Sequence, residues 1–227
     1  MPPGLMDEIR EYLHRTEKSM DLEFGSTSKP LLLSVRSGSR ESMPGMMDTV
    51  LNVGLNSKTV LGLAKMSGNP HFAWDSYRRL IQMFGSLLLG VEHEEFEHAL
   101  EAARNAAGAK FDRDLTAEQL EALVGVYKEL VQASTGKPFP EDPMEQLEYA
   151  TKAVFSSWMN ERAILYRKMY DIPEEWGTAV NIQAMVFGNL GEDSFTGVAF
   201  TRDPSTGENY FCACPTSRLK TFYPCDC

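Results

Sequence analysis

The sequence predicts an α+β fold in which a long helical block interrupts the strands of one sheet system. Three observations predict it. A short apolar run near the start feeds a Gly/Ser loop, about a hundred residues of helical patterning follow with matched start and stop signals, and the period switches to two beyond Thr178.

Leu5, Ile9 and Leu13 recur at helical spacing behind Pro2 and Pro3, and Gly25-Ser26-Thr27-Ser28 breaks the pattern, so residues near 4–18 read as an amphipathic helix. Pro30 introduces Leu31-Leu32-Leu33-Ser34-Val35, a run of the length of a buried strand. Between Ser57 and Tyr170 the pattern is helical. Asn69-Pro70 supplies an N-cap and a first-turn proline, Thr116 with Gln119 a capping box, and Gly136 a stop. Asp142-Pro143 opens another helix that is expected to run through Leu147, Ala150, Val154 and Trp158. Trp74, Tyr77, Ile81 and Phe84 share one helical face and read as core.

From Thr178 to Phe187, Val180, Ile182, Ala184 and Val186 fall on one strand face, and Gly188-Asn189 ends the run. Gly197-Val198-Ala199-Phe200-Thr201 is a second strand, closed by Asp203-Pro204-Ser205-Thr206-Gly207. The simplest arrangement pairs these two strands antiparallel across the loop between them.

The 227 residues are 43% hydrophobic, enough for a real core, and carry a formal charge of −10. That sign argues against nucleic-acid binding, which needs clustered Lys and Arg. Neither a run of roughly 20 apolar residues nor a signal-peptide pattern is present, so no membrane partner is expected. A cytoplasmic location is the default reading, with an organelle left open. All four cysteines, Cys212, Cys214, Cys225 and Cys227, fall in the last sixteen residues. Their Cys-x-Cys spacing is a poor match to structural zinc, so the segment is expected to be a tail without regular structure.

The chemistry concentrates in Ser34-Val35-Arg36-Ser37-Gly38-Ser39-Arg40 and the Ser42-Met43-Pro44-Gly45-Met46-Met47-Asp48-Thr49 that follows. No acid lies between Gly25 and Arg40 in an otherwise acidic chain. Arg36 can offer a planar bidentate fork to phosphate oxygens, while Gly38 and Gly45 allow backbone N–H groups close to an anion. A solvated turn with two surface arginines is the competing reading. Met43, Met46 and Met47 read as core or hinge packing rather than a lid. His14, His93 and His98 fall on helix surfaces, so no catalytic histidine is assigned, and Glu92 to Glu97 reads as a solvated face.

Ser34 to Asn56 resembles the phosphate-loop region of the pyruvate, phosphate dikinase family. The resemblance continues through Gly68 to Gly85, Trp176 to Asn189 and Phe195 to Glu208, and so covers most of residues 1–208. It implies an ATP-grasp-like nucleotide-binding domain with a large helical insertion. Residues 1–56 would be its helix, strand and phosphate loop, 57–172 the insertion, 173–208 its β-strand part, and 209–227 a divergent tail. In such an enzyme ATP passes its β-phosphate to a histidine on a separate domain, and the whole protein converts ATP, phosphate and pyruvate to AMP, diphosphate and phosphoenolpyruvate.

By the same resemblance Arg36 is the catalytic candidate that contacts the ATP phosphates, with Ser37, Gly38 and Ser39 as loop backbone and Arg40 as a second cation. Gln183, Met185 and Val186 would lie on the adenine side, and Arg202 is a further candidate for phosphate. ATP and Mg²⁺ are the implied cofactors. The partners are the family's phosphohistidine and pyruvate-binding domains. The family's Gly-Gly-Lys-Gly-type turn, and its metal-binding stretch after the Ser-Thr-Gly-Glu turn, have no counterpart in this sequence, so the chain by itself is expected to be inactive. A non-catalytic helical interaction module, or an inactive truncated fragment, is the rival expectation.

Overall fold

The computed structural model describes residues 1–190 and 194–216, with side chains for all of these except 214–216. They fall into two compact units, Met1–Met185 and Val186–Cys227.

The first unit opens with α1 (Leu5–Met20), whose apolar spacing buries Leu13. Two short strands, β1 (Glu23–Phe24) and β2 (Pro30–Leu31), pair in parallel. They lead into β3 (Leu33–Gly38), the centre of a three-stranded sheet. Antiparallel neighbours flank it, β4 (Thr49–Val53) on one side and β5 (Ala179–Ala184) on the other. One face of this sheet is apolar and carries Leu33, Val35, Val50 and Val53, all of them buried: Leu33 and Val35 by the two-residue period of β3, and Val50 and Val53 opposite them because the β4 register shifts between the two pairs, where Asn52 takes φ 60°. From β5 it receives the half-buried Val180, Ile182 and Ala184.

The helices α2 (Thr59–Ser67), α3 (Pro70–Leu88), α4 (His93–Ala107), α5 (Ala117–Thr135), α6 (Pro143–Ser156) and α7 (Glu161–Met169) all lie between β4 and β5 in sequence. α6 packs on the three strands, and α3 forms the hub against α2, α4, α5 and α6. Tyr77, Ile81 and Phe84 of α3 are fully buried. At Gly85 a Cβ would come within 2.6 Å of the Phe96 ring, so the bare backbone is what lets α4 approach α3.

The helix starts follow local chemistry. Asn69 accepts the Phe72 N–H at 3.1 Å behind Pro70, and Asp142 accepts the Met144 N–H at 2.7 Å behind Pro143. Thr116 and Gln119 form the expected box, with Thr116 N–H donated to Gln119 Oε1 at 2.8 Å and Gln119 N–H to Thr116 Oγ1 at 3.3 Å. Gly136 then closes α5 with φ 71°.

Polar side chains of the helical block hydrogen-bond to the chain as it leaves the sheet. The Gln146 amide accepts the Gly54 N–H at 2.9 Å and donates to the Leu55 and Pro140 carbonyls at 2.9 and 2.8 Å. Glu141 receives the Ser57 N–H at 2.8 Å, the Tyr77 hydroxyl at 3.1 Å and Lys128 Nζ at 2.5 Å. Burial works to raise the Glu141 pKa, but the Lys128 and Ser57 donors outweigh it and the net shift is downward. The Tyr77 hydroxyl is pushed well up, by burial first and by Glu141 second.

Four expectations are corrected. β5 pairs with β3, not with the next strand: β6 (Thr196–Phe200) instead pairs antiparallel with β7 (Cys212–Thr216). Alternation identifies a buried face but not the partner across the ladder, and here the partner lies far away in sequence. The segment expected to be an irregular tail therefore begins with a strand, in which Cys212 is buried and Ala213 exposed. β5 stops at Ala184, so Val186 leaves the strand pattern and is 87% exposed. α6 ends at Ser156, and Ser157–Met159 continue as a tighter 3₁₀ turn that brings Trp158 into the core. Among the described residues no helix is long and apolar enough to cross a membrane.

Candidate functional site

The second face of the β4-β3-β5 sheet is polar. Arg36 stands at its centre, directly opposite Thr49 on β4 and Asn181 on β5. Ser34 sits opposite Gln183 on the same face, with Ser34 Oγ donating to the Gln183 carbonyl at 3.4 Å. Arg36, Asn181 and Gln183 are exposed while Ser34 is buried. Among the described residues no carboxylate pairs with Arg36. Its guanidinium is thus held on a rigid strand among neutral hydroxyl and amide groups, an arrangement suited to an anion.

At the end of β3 the structure uses the loop residues unevenly. The Gly38 N–H is donated to Thr178 Oγ1 at 3.3 Å, so it is already engaged. A Cβ at Gly38 would meet the Asn181 amide at 2.7 Å. Ser37 and Ser39 are half-buried, and Ser39 Oγ donates to the Glu41 carbonyl at 2.5 Å. Arg40 is exposed, with its guanidinium 4.6 Å from the centre of the Trp176 ring.

The methionine loop beyond it packs inward. Met43 and Met47 are buried with Trp158 and Ala163, and Met46 packs against that cluster. Asp48 fixes the end of the loop: its N–H is donated to Ser157 Oγ at 3.1 Å, and its carboxylate receives Asn160 Nδ2 at 3.0 Å and Arg162. Arg162 Nε also donates to the Met46 carbonyl at 2.9 Å.

On the β5 side the Gln183 side chain is free to solvent, whereas Met185 is half-buried and its sulfur accepts the Asn52 N–H at 3.1 Å. Among the described residues β5 pairs only with β3, so its other edge is unladdered. Val186 and Arg202 belong to the second unit. There Arg202 is exposed and donates to the Gly207 carbonyl at 3.3 Å, within a turn organised by Asp203. The Tyr210 hydroxyl and the Thr206 and Ser205 N–H groups hold the Asp203 carboxyl below its usual range, and the same contact pushes Tyr210 up to about 12.

Open depressions among the described residues of the first unit include two of about 420 Å³. One lies beside α7 and Pro173, the other between α1 and the start of α6, and neither is lined by Arg36. Among the described residues no three His, Cys, Asp or Glu side chains gather as a metal-ligand set. Among the described residues none of the strand residues paired beside Arg36 is a carboxylate, and this face does not fit a protein-held Mg²⁺. Cys225 and Cys227 lie outside the described residues, as do Gly191, Glu192 and Asp193 of the loop before β6.

Residues 1–214 match the pyruvate phosphate dikinase AMP/ATP-binding domain. The chain belongs to this family. It is 57% identical over 208 residues to the pyruvate, phosphate dikinase of Rhizobium meliloti (strain 1021), covering 92% of this chain and 23% of that protein. It is 53% identical over 209 residues to that of Giardia intestinalis, covering 92% and 24%. To the chloroplastic enzyme of Flaveria trinervia it is 54% identical over 208 residues, covering 92% and 22%. The chain thus spans about a quarter of the length of the curated relatives it matches.

The sequence reading picked out Arg36 and Arg40 by their local charge but missed the groups around them. Thr49, Asn181, Trp176 and Thr178 become neighbours of the loop only through the pairing of β3 with β4 and β5. Asn181 carried a usable signal, since it alternates out of phase with Val180 and Ile182 and so had to face away from the core.

Proposed function

We propose that this chain is the ATP-binding part of a pyruvate, phosphate dikinase, built on an ATP-grasp-like plan. In the whole enzyme it would present ATP for phosphoryl transfer to a histidine on another domain, as one step in forming AMP, diphosphate and phosphoenolpyruvate. Family membership supports the nucleotide. The single observation that carries the site is Arg36, a cation on a sheet face beside neutral polar groups, with no carboxylate paired to it among the described residues.

In this reading Arg36 takes phosphate oxygens and stabilises charge that builds on the transferring phosphoryl group, the main contribution a protein makes to this chemistry. The backbone of Ser37 and Ser39 lines the approach, Arg40 adds a second cation, and the unladdered edge of β5 near Gln183 and Met185 suits the hydrogen-bonding edge of a purine. Arg202 and Val186 are assigned to the same ligand by resemblance alone. Mg²⁺ enters as part of the MgATP complex. The phosphohistidine and pyruvate-binding domains are the proposed partners.

Isothermal titration with MgATP tests the reading. The unaltered chain should bind, Arg36→Ala should lose at least tenfold in affinity, and Arg36→Lys should recover only part, because a point charge cannot reproduce a bidentate fork. Equal affinity in all three would refute the assignment of Arg36.

A further inference from the structure

We propose that Trp176 is a positioning residue that seats Arg40 for binding a polyphosphate, an inference that rests on the nucleotide reading above. Residues 174–178 form a fixed seat beside the loop. Glu174–Trp176 make one 3₁₀ turn, and the Glu174 carbonyl accepts the indole N–H of the buried Trp158 at 3.0 Å. Gly177 then turns the chain with φ 61° and ψ −163°, a region open to glycine and costly for other residues. Thr178 follows and takes the Gly38 N–H at 3.3 Å.

The seat therefore grips the loop at two points, the backbone of Gly38 and the guanidinium of Arg40. Trp176 is 40% exposed, so one ring face is covered by Arg40 at 4.6 Å without burying the charge. A guanidinium lying on an aromatic face keeps its N–H edge available to oxygen acceptors. An arginine in a Gly/Ser loop would otherwise lose most of its rotamer freedom on meeting a ligand, and a seat that restricts it beforehand lowers that cost. No carboxylate pairs with Arg40 among the described residues, so its charge is available.

The test uses the full 227-residue chain and titrations with MgATP, tripolyphosphate and adenosine. Trp176→Ala and Trp176→Leu should each weaken MgATP and tripolyphosphate by about two- to fivefold and leave adenosine unchanged, the range expected of one exposed cation–π contact. Trp176→Phe should restore most of the affinity. In an Arg40→Ala background the Trp176 substitutions should have no further effect.

An equal loss with and without Arg40, an equal loss for adenosine, or no loss at all would each overturn the proposal. If Trp176→Ala does not fold, Trp176→Leu and Trp176→Phe, which keep side-chain bulk, carry the same comparison. Absence of MgATP binding by the unaltered chain is a separate result: it removes the nucleotide reading, and this inference with it.

Discussion

Asp48 and Arg162 form an ion pair that fastens the end of the methionine loop to the first turn of α7, across 114 residues of sequence. Asp48 is almost enclosed and also receives Asn160 Nδ2 and engages Ser157, whereas Arg162 is half exposed. Solvent screening therefore limits what Arg162 contributes. Arg162→Ala should lower stability by about 1 kcal/mol. Asp48→Ala should cost about 2 kcal/mol, because it strips partners from Asn160 as well. Urea unfolding midpoints of the two variants and their double mutant give the coupling, and a coupling indistinguishable from zero would show that the pair does not anchor the loop.

Gln146 is fully buried and its amide serves three backbone groups at once, Gly54 N–H, Leu55 C=O and Pro140 C=O. Gln146→Leu keeps the approximate volume but leaves all three without that partner. Each buried orphan costs about 1–3 kcal/mol, so the substitution is expected to destabilise by at least 3 kcal/mol. Gln146→Glu retains the acceptor for Gly54 N–H but presents charge to two carbonyls, and should be no milder at neutral pH. Chemical denaturation of both variants reads the order directly.

The contrast between caps and strands explains what was legible in the sequence. Asn69, Thr116 with Gln119, and Asp142 act within three residues of themselves, so their chemistry is written locally and the helix starts follow. The β3–β5 ladder joins residues such as Ser34 and Gln183, 149 positions apart, and nothing in the two-residue period names that partner. The same limit applies to the candidate site. Arg36 announces itself by local charge, while Asn181 opposite it and Trp176 beneath Arg40 depend on a register that only the folded chain fixes. Cys212–Thr216 was obscured differently: its cysteines drew attention to metal chemistry, although Cys212 serves as a small buried residue on a strand.

Asp75 should set part of the acid sensitivity. Burial acts to raise its pKa, but Arg78 and Arg79, at 2.7 and 2.8 Å, reverse this and the folded-state value lies below the ordinary one. A carboxylate with a depressed folded pKa contributes stability that is present above the unfolded pKa of about 3.9 and disappears as pH falls through the folded value. Asp75→Asn should therefore destabilise the chain at pH 7 and bring it close to the unaltered chain well below pH 4. Arg78, only 3% exposed, would lose its charged partner at neutral pH, which adds to the loss there. Melting temperatures of the two proteins measured from pH 7 down to pH 2.5 should converge, and parallel curves would show that Asp75 is not the titrating contributor.

A nucleotide that binds only the folded chain must raise its melting temperature, by an amount fixed by the ratio of ligand concentration to Kd. At a hundredfold excess over Kd the gain is about 2.7 kcal/mol. For a chain of this size that corresponds to a shift of roughly 5–10 °C. MgATP should give such a shift with the unaltered chain and a much smaller one with Arg36→Ala, whose unliganded melting temperature should itself change little because Arg36 is exposed and unpaired. That combination separates a binding residue from a structural one. A shift of equal size in both proteins would place the nucleotide away from β3. No shift in either at millimolar MgATP would favour the alternative in which the helical block between β4 and β5 is an interaction module and the sheet face around Arg36 carries no ligand.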